Sequence, residues 1–187
     1  MKRLFFIAVL LGTVIFFGVF GYSYFRLKTK TPQDYFETGK AFYDEGKYSD
    51  ATIALLNANR STPDNRDVRY YLALSYLAQK DVSTAARHLQ LLLEAHPDDV
   101  PANLKLGNLF LAVGQTNQNP EYFQRAQQAA EKVLSKDPQN IEALALSANA
   151  STGLKDYATS LKLLEEAVRL DPHSVLAWIS LARRERR

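Results

Sequence analysis

Three histidines, His88, His96 and His173, are the side chains of this 187-residue chain that could exchange a proton or bind a metal near neutral pH. Either chemistry needs imidazoles grouped with carboxylates at ligand or hydrogen-bond spacing. These three stand apart. His96 and His173 flank prolines, where turn chemistry accounts for them, and His88 sits beside the apolar stripe of Leu89 and Leu92. Two acid pairs, Asp98–Asp99 and Glu165–Glu166, fall at a helix-connecting turn and on an outer helix face, so solvated charge is expected of all four. The chain has no glycine-rich phosphate loop, no H-E-x-x-H and no nucleophile elbow. Lacking cysteine, it has no disulfide, no thiolate zinc site and no residue for lipoprotein attachment. The sequence predicts no catalytic residue, no cofactor and no metal. What remains to it is a surface.

Four prolines organise that surface. Pro63, Pro97, Pro138 and Pro172 are separated by 34, 41 and 34 residues. A period of this length marks helix-turn-helix units, each too small to bury its own apolar face. The units are 32–65, 66–99, 100–140 and 141–174, with a partial fifth over 175–187. Each reads as two amphipathic helices because apolar residues recur on one helical face. Leu72, Tyr76 and Leu77 do so in a first helix, and Ala85, Leu89 and Leu92 in a second. A proline then stops the second helix, since it lacks an amide hydrogen and clashes with the preceding turn.

The whole pattern resembles the tetratricopeptide repeat (TPR) family. The first unit carries it in Tyr35, Thr38, Gly39, Phe42, Ala51, Leu55, Ala58 and Pro63, and the second in Arg69, Leu72, Ala73, Tyr76, Ala85, Leu89, Leu92 and Pro97. The third opens with Leu106, Gly107 and Phe110 and resumes with Ala126, Ala130, Val133 and Pro138. The fourth keeps Leu144, Ala148, Leu164, Ala167 and Pro172 but has Ser147, Ser151 and Ser160 at three apolar positions, which predicts weaker packing. Gly39, Ala73, Gly107 and Ala148 leave room for a partner helix. The resemblance implies an all-α TPR solenoid of about four and a half repeats over 32–187, acting by protein–protein interaction and not as an enzyme.

Ahead of the repeats, a basic tail over 1–3 precedes 22 uncharged residues, Leu4 to Phe25, and a basic linker over 26–31 follows. As a helix this stretch spans about 33 Å, enough for a hydrocarbon core of about 30 Å. It exceeds the apolar region of a cleavable signal peptide, and no small-x-small site ends it. The expectation is a transmembrane helix over 4–25, retained as a single-pass anchor. Lys2 and Arg3 precede it and Arg26, Lys28 and Lys30 follow, so basic residues on both flanks leave its orientation open. The short basic tail is that of a signal anchor, which places the solenoid in the periplasm of a bacterial inner membrane. A cytosol-facing chaperone or import receptor is the alternative, and a non-catalytic fragment of a larger TPR enzyme is another.

The net charge of +3 comes from the ends. Residues 31–182 hold 14 basic and 19 acidic residues. A solenoid of that sign lacks the basic stripe that nucleic-acid binding requires, so no nucleic-acid partner is predicted.

In repeats that resemble TPR units the first helices line the concave side. The residues sharing that face are Phe36, Lys40 and Tyr43; Tyr70, Leu74 and Leu77; Leu104, Asn108 and Leu111; and Asn149, with Ala145, Thr152, Ile179 and Arg183 continuing the row. They predict an apolar groove with Lys40, Asn108, Asn149 and Arg183 as polar handles, suited to an extended peptide or an amphipathic helix of a partner protein. Leu74 and Leu104 could instead pack between repeats, and the two asparagines could be solvated without a ligand.

The third unit exceeds the others by seven residues. Its extra segment, Gly114 to Pro120, is polar and rich in turn formers, which predicts a lengthened connection between two helices. Trp178 and Leu181 begin the partial fifth unit and are expected to pack on the fourth. That unit is either a polar-ended cap or the start of a longer array.

Overall fold

The computed structural model describes residues 30–175 and 178–180, and these form eight complete helices and no strand. They pair as hairpins: α1 (Pro32–Asp44) with α2 (Tyr48–Ser61), α3 (Arg66–Ala78) with α4 (Val82–Ala95), α5 (Val100–Asn117) with α6 (Pro120–Leu134), and α7 (Ile141–Gly153) with α8 (Tyr157–Leu170). Each helix packs against the next along the chain, and across one repeat α1 also meets α3 and α5 meets α7. The result is an all-α solenoid. Among the described residues no helix is long and apolar enough to cross a membrane. The segment 4–25 lies outside them.

Local chemistry starts and stops these helices. Each first helix opens on a side chain that accepts from its own first turn: Thr31, Asn65, Asp99 and Asn140. Thr31 and Asp34 cap reciprocally, with the Asp34 carboxylate accepting from the Thr31 amide at 2.7 Å. Those bonds to Thr31 hold the Asp34 carboxyl below its usual pKa. The prolines at 63, 97 and 172 stand two residues past their helices, and Pro138 stands four past. Inside every hairpin the turn requires one left-handed residue: Gly46, Lys80, Gln118 and Lys155 all have φ between 53° and 76°. Only the first uses glycine, which adopts that region without a steric cost.

The core is a chain of clusters, one at each junction. Ala51, Leu55, Ala58, Val68 and Leu72 join units one and two. Ala73, Leu89, Leu92, Ala102 and Leu106 join two and three. Leu104, Leu111, Ala126, Ala130, Val133 and Leu146 contribute to the third junction. Burying a leucine such as Leu55 or Leu89 stabilises the fold by about 1.5–3 kcal/mol. Gly39 and Gly107 keep the helices close: an added Cβ would stand 2.6 Å from Leu55 Cγ in the first case and 2.6 Å from Leu146 Cδ2 in the second.

The third unit departs from its expected shape. Residues Gly114 to Asn117 continue α5, which runs to 18 residues where α1, α3 and α7 have 13, and only Gln118 and Asn119 connect it to α6. The extra residues lengthen helices instead of a loop because Phe123, at the start of α6, is 4% exposed and packs on the added turn. Gly114 and Gly153 both face its ring. The three serines of the fourth unit are buried, and Ser160 shares a 2.8 Å hydrogen bond with Thr152. At the far end the partial fifth unit meets the fourth as expected: Ser180 is 3% exposed and accepts from Asn149, and Trp178, though 50% exposed, donates its indole N–H to the Pro172 carbonyl. Leu181 lies outside the described residues.

Candidate functional site

The first helices carry an aromatic patch at the start of the solenoid. On α1, Phe36, Lys40 and Tyr43 share a face at i, i+4 and i+7. On α3, Tyr70 and Tyr71 turn toward it. Tyr71 is the hub, with ring centroids 5.8 Å from Phe36, 5.6 Å from Tyr43 and 6.4 Å from Tyr70, all edge-to-face. The Lys40 ammonium lies 5.9 Å from the Tyr71 ring and 3.4 Å from Asp44. Its hydrogen bond to Asp44, with the ring oxygen nearby, raises its pKa. Burial raises the phenols of Tyr43 and Tyr70, so both remain neutral donors at physiological pH.

A charged brace borders the patch. The Arg66 guanidinium stands 4.9 Å from the Tyr70 ring and makes a two-pronged bond to Asp99, Nε to Oδ2 at 2.6 Å and Nη2 to Oδ1 at 3.3 Å. These bonds raise the arginine further above its ordinary range. The same Asp99 caps α5 by accepting from the Ala102 amide at 2.8 Å. Its side chain is 10% exposed, whereas that of Asp98 is 70% exposed, so solvated charge describes Asp98 and not Asp99. Sequence reasoning missed this because adjacent acids look alike until the preceding repeat supplies Arg66. Asp99→Ala should lose about 2 kcal/mol in urea unfolding, from the cap and from the two-pronged bond to Arg66, which then keeps only its bond to Asp67 at 2.7 Å. Asp98→Ala should stay within about 0.5 kcal/mol of the parent.

Beyond the brace, α3, α5 and α7 enclose a hollow of about 310 Å³, lined by Tyr70, Val100, Pro101, Leu104, Lys105 and Glu142. Tyr70 and Leu104 of the predicted row therefore share a concave feature, although Leu104 is only 6% exposed and also packs in the core. Leu111 and Ala145 are buried too, at 7% and 1% exposed. Leu74 and Leu77 remain half-buried. The asparagines serve their own helices: Asn108 Nδ2 donates to the Leu104 carbonyl and Asn149 Nδ2 to the Ala145 carbonyl, both at 2.9 Å. Asn149 also donates to Ser180 Oγ. Arg183 lies outside the described residues. Tyr71 and Arg66 were absent from the predicted row. The adjacent aromatics at 70 and 71 were the available signal, but which one turns between α1 and α3 depends on packing.

No group of acids and histidines is placed to hold a metal among the described residues. His88 is 6% exposed and stacks on Tyr76, ring centroids 5.4 Å apart. Burial pushes its pKa down to about 4, assisted by the charges of Arg87 and Arg69.

Comparison with known proteins follows the same lines. No curated protein matches the sequence. The solved structure of MamA is 19% identical, with a TM-score of 0.68 over 81% of this chain and 84% of that one. YrrB, described as a TPR protein with an unusual peptide-binding site, is 20% identical, with a TM-score of 0.71 over 94% and 88%. A tetratricopeptide repeat protein from Parabacteroides merdae is 18% identical, with a TM-score of 0.74 over 85% and 60%. At such identities the likeness is one of fold. The family model for the tetratricopeptide repeat matches residues 36–100 and 104–175, most of the chain, and the protein belongs to that family.

Proposed function

We propose that this protein is a membrane-tethered scaffold that holds a segment of a partner protein on the inner face of its repeats. The observation that carries the reading is the run of rings Phe36, Tyr43, Tyr71 and Tyr70, leading into the hollow beside Leu104. Clustered tyrosines supply large, rigid contact area with phenol groups for main-chain partners, and Lys40 at the edge supplies a cation. A peptide-binding site in the YrrB neighbour supports a peptide or amphipathic helix as the occupant. The tether rests on the 22 uncharged residues from Leu4 to Phe25, and the periplasmic side on the short basic tail before them. Envelope, exopolysaccharide or protein-sorting assembly is the setting we assign.

Leu74→Asp should reduce partner capture at least fivefold in a crosslinking pull-down, against no change for the exposed control Asp98→Ala, with both variants folded by circular dichroism. Equal capture would remove the inner face from the account. A reporter fused after Arg187 and active only outside the cytoplasm tests the side of the membrane. Activity in the cytoplasm instead would favour the receptor alternative.

A further inference from the structure

The opposite side of the solenoid carries a second groove, of about 380 Å³, between the outer helices α4 and α6. Leu106 and Phe110 of α5 form its floor, Leu93 and Glu94 of α4 one wall, and Arg125 and Lys132 of α6 the other.

Comparing junctions within the chain shows why it is open. One repeat earlier, the residue equivalent to Phe110 is Tyr76, and His88 of its own hairpin covers its ring. The residue equivalent to His88 is Ala129, which has no ring to offer. Arg69, 11% exposed at the earlier junction, is replaced by Asn103, whose amide turns back to the Pro97 and Asp99 carbonyls at 2.8 and 2.9 Å. One repeat later the same places hold Leu144, Ser151 and Leu163, with both leucines packed in one cluster. The middle junction alone keeps an aromatic floor while its covering residues shrink.

Arg125 lies against that floor, its guanidinium 4.0 Å from the Phe110 ring centroid and 5.9 Å from that of Tyr122. A guanidinium lying against a ring keeps donors free at its edge for a carboxylate. Neither Arg125 nor Lys132, seven residues further along α6, makes an ion pair among the described residues. We infer that this outer groove binds a short acidic-apolar segment of a second protein, its apolar side chain between the half-buried Leu93 and Phe110 and its carboxylate on Arg125. Glu94 on the facing wall sets the polarity, repelling an acid placed on that side. The protein is then two-sided, holding one partner inside and another outside.

The test uses the full chain in zwitterionic detergent and a fluorescein-labelled octapeptide of alternating leucine and glutamate, read by anisotropy. A second octapeptide carries lysine in place of glutamate. The acidic peptide should bind at least tenfold more tightly than the basic one and weaken as salt rises. Arg125→Glu should cut its affinity about tenfold, and the more exposed Lys132→Glu about threefold, which keeps the question answerable if the first variant fails to fold. Leu93→Asp should weaken it at least fivefold. Leu74→Asp, on the inner face, should leave it within twofold. Absence of binding, equal binding of the two peptides, or insensitivity to Leu93→Asp and Lys132→Glu would overturn the inference. Loss with Leu74→Asp alone would also overturn it by moving the peptide to the inner face, and would leave the inner-face reading standing.

Discussion

Replacing Gly153 with valine should lower the unfolding free energy by about 2–3 kcal/mol, the scale of overpacking in a filled core. Gly153 ends α7, and a Cβ built there would fall inside contact distance of the Phe123 ring. The ring cannot step aside. It is 4% exposed, and Gly114 approaches the same Cδ1–Cε1 edge so closely that a Cβ there would be 3.0 Å from Phe123 Cε1. Two glycines on separate helices therefore close on one edge of the same aromatic, and that contact spaces α7 against the lengthened α5. Phe123→Leu in the valine background should recover part of the loss, with a coupling of about 1 kcal/mol or more in the double-mutant cycle. Because a solenoid couples mainly nearest neighbours, amide exchange should rise in α7 and α8 while α1 and α2 hold their protection. Unchanged stability would show that the ring does not set this spacing.

Acidification should separate the parent from His88→Phe. The imidazole is buried on Tyr76, and the folded state moves its pKa from 6.5 to about 4, through burial first and then the nearby charges of Arg87 and Arg69. The unfolded chain takes up a proton near 6.5, and the folded chain resists until about 4. Stability is thus fully present above the unfolded value, falls as pH drops through that window, and flattens once both states are protonated. The loss is of the order of 2–3 kcal/mol. Phenylalanine keeps the stack on Tyr76 and removes the titration. The carboxylates of Asp34, Asp81 and Asp156, whose pKa values are lowered by their capping bonds, titrate in parent and variant alike. The difference between the two stability curves therefore isolates His88. Parallel curves from pH 7 to pH 4 would mean that the ring is solvated when charged.

Much of the fold was legible because its causes are local and repeated. A proline just past a helix and a small residue at Gly39 or Gly107 act over a few residues or one hairpin, and a 34-residue period displays them several times. The inner-face row was partly legible for the same reason: helix periodicity placed Phe36, Lys40 and Tyr43 together without reference to a neighbour. It did not reveal that Leu111 and Ala145 are spent on packing, or that Asn108 and Asn149 bond back to their own helices.

Sequence alone determined the repeat, its helices and their order, since proline stops and apolar periodicity are properties of nearby residues. Tertiary structure decided the rest: that Asp99 is braced by Arg66 from one repeat earlier, that the polar stretch after Gly114 stays helical under Phe123, and that the ring of Phe110 is left for Arg125. Each of these depends on which side chain arrives from another hairpin. No spacing along the chain carries that information, because it is set by how closely the hairpins stack.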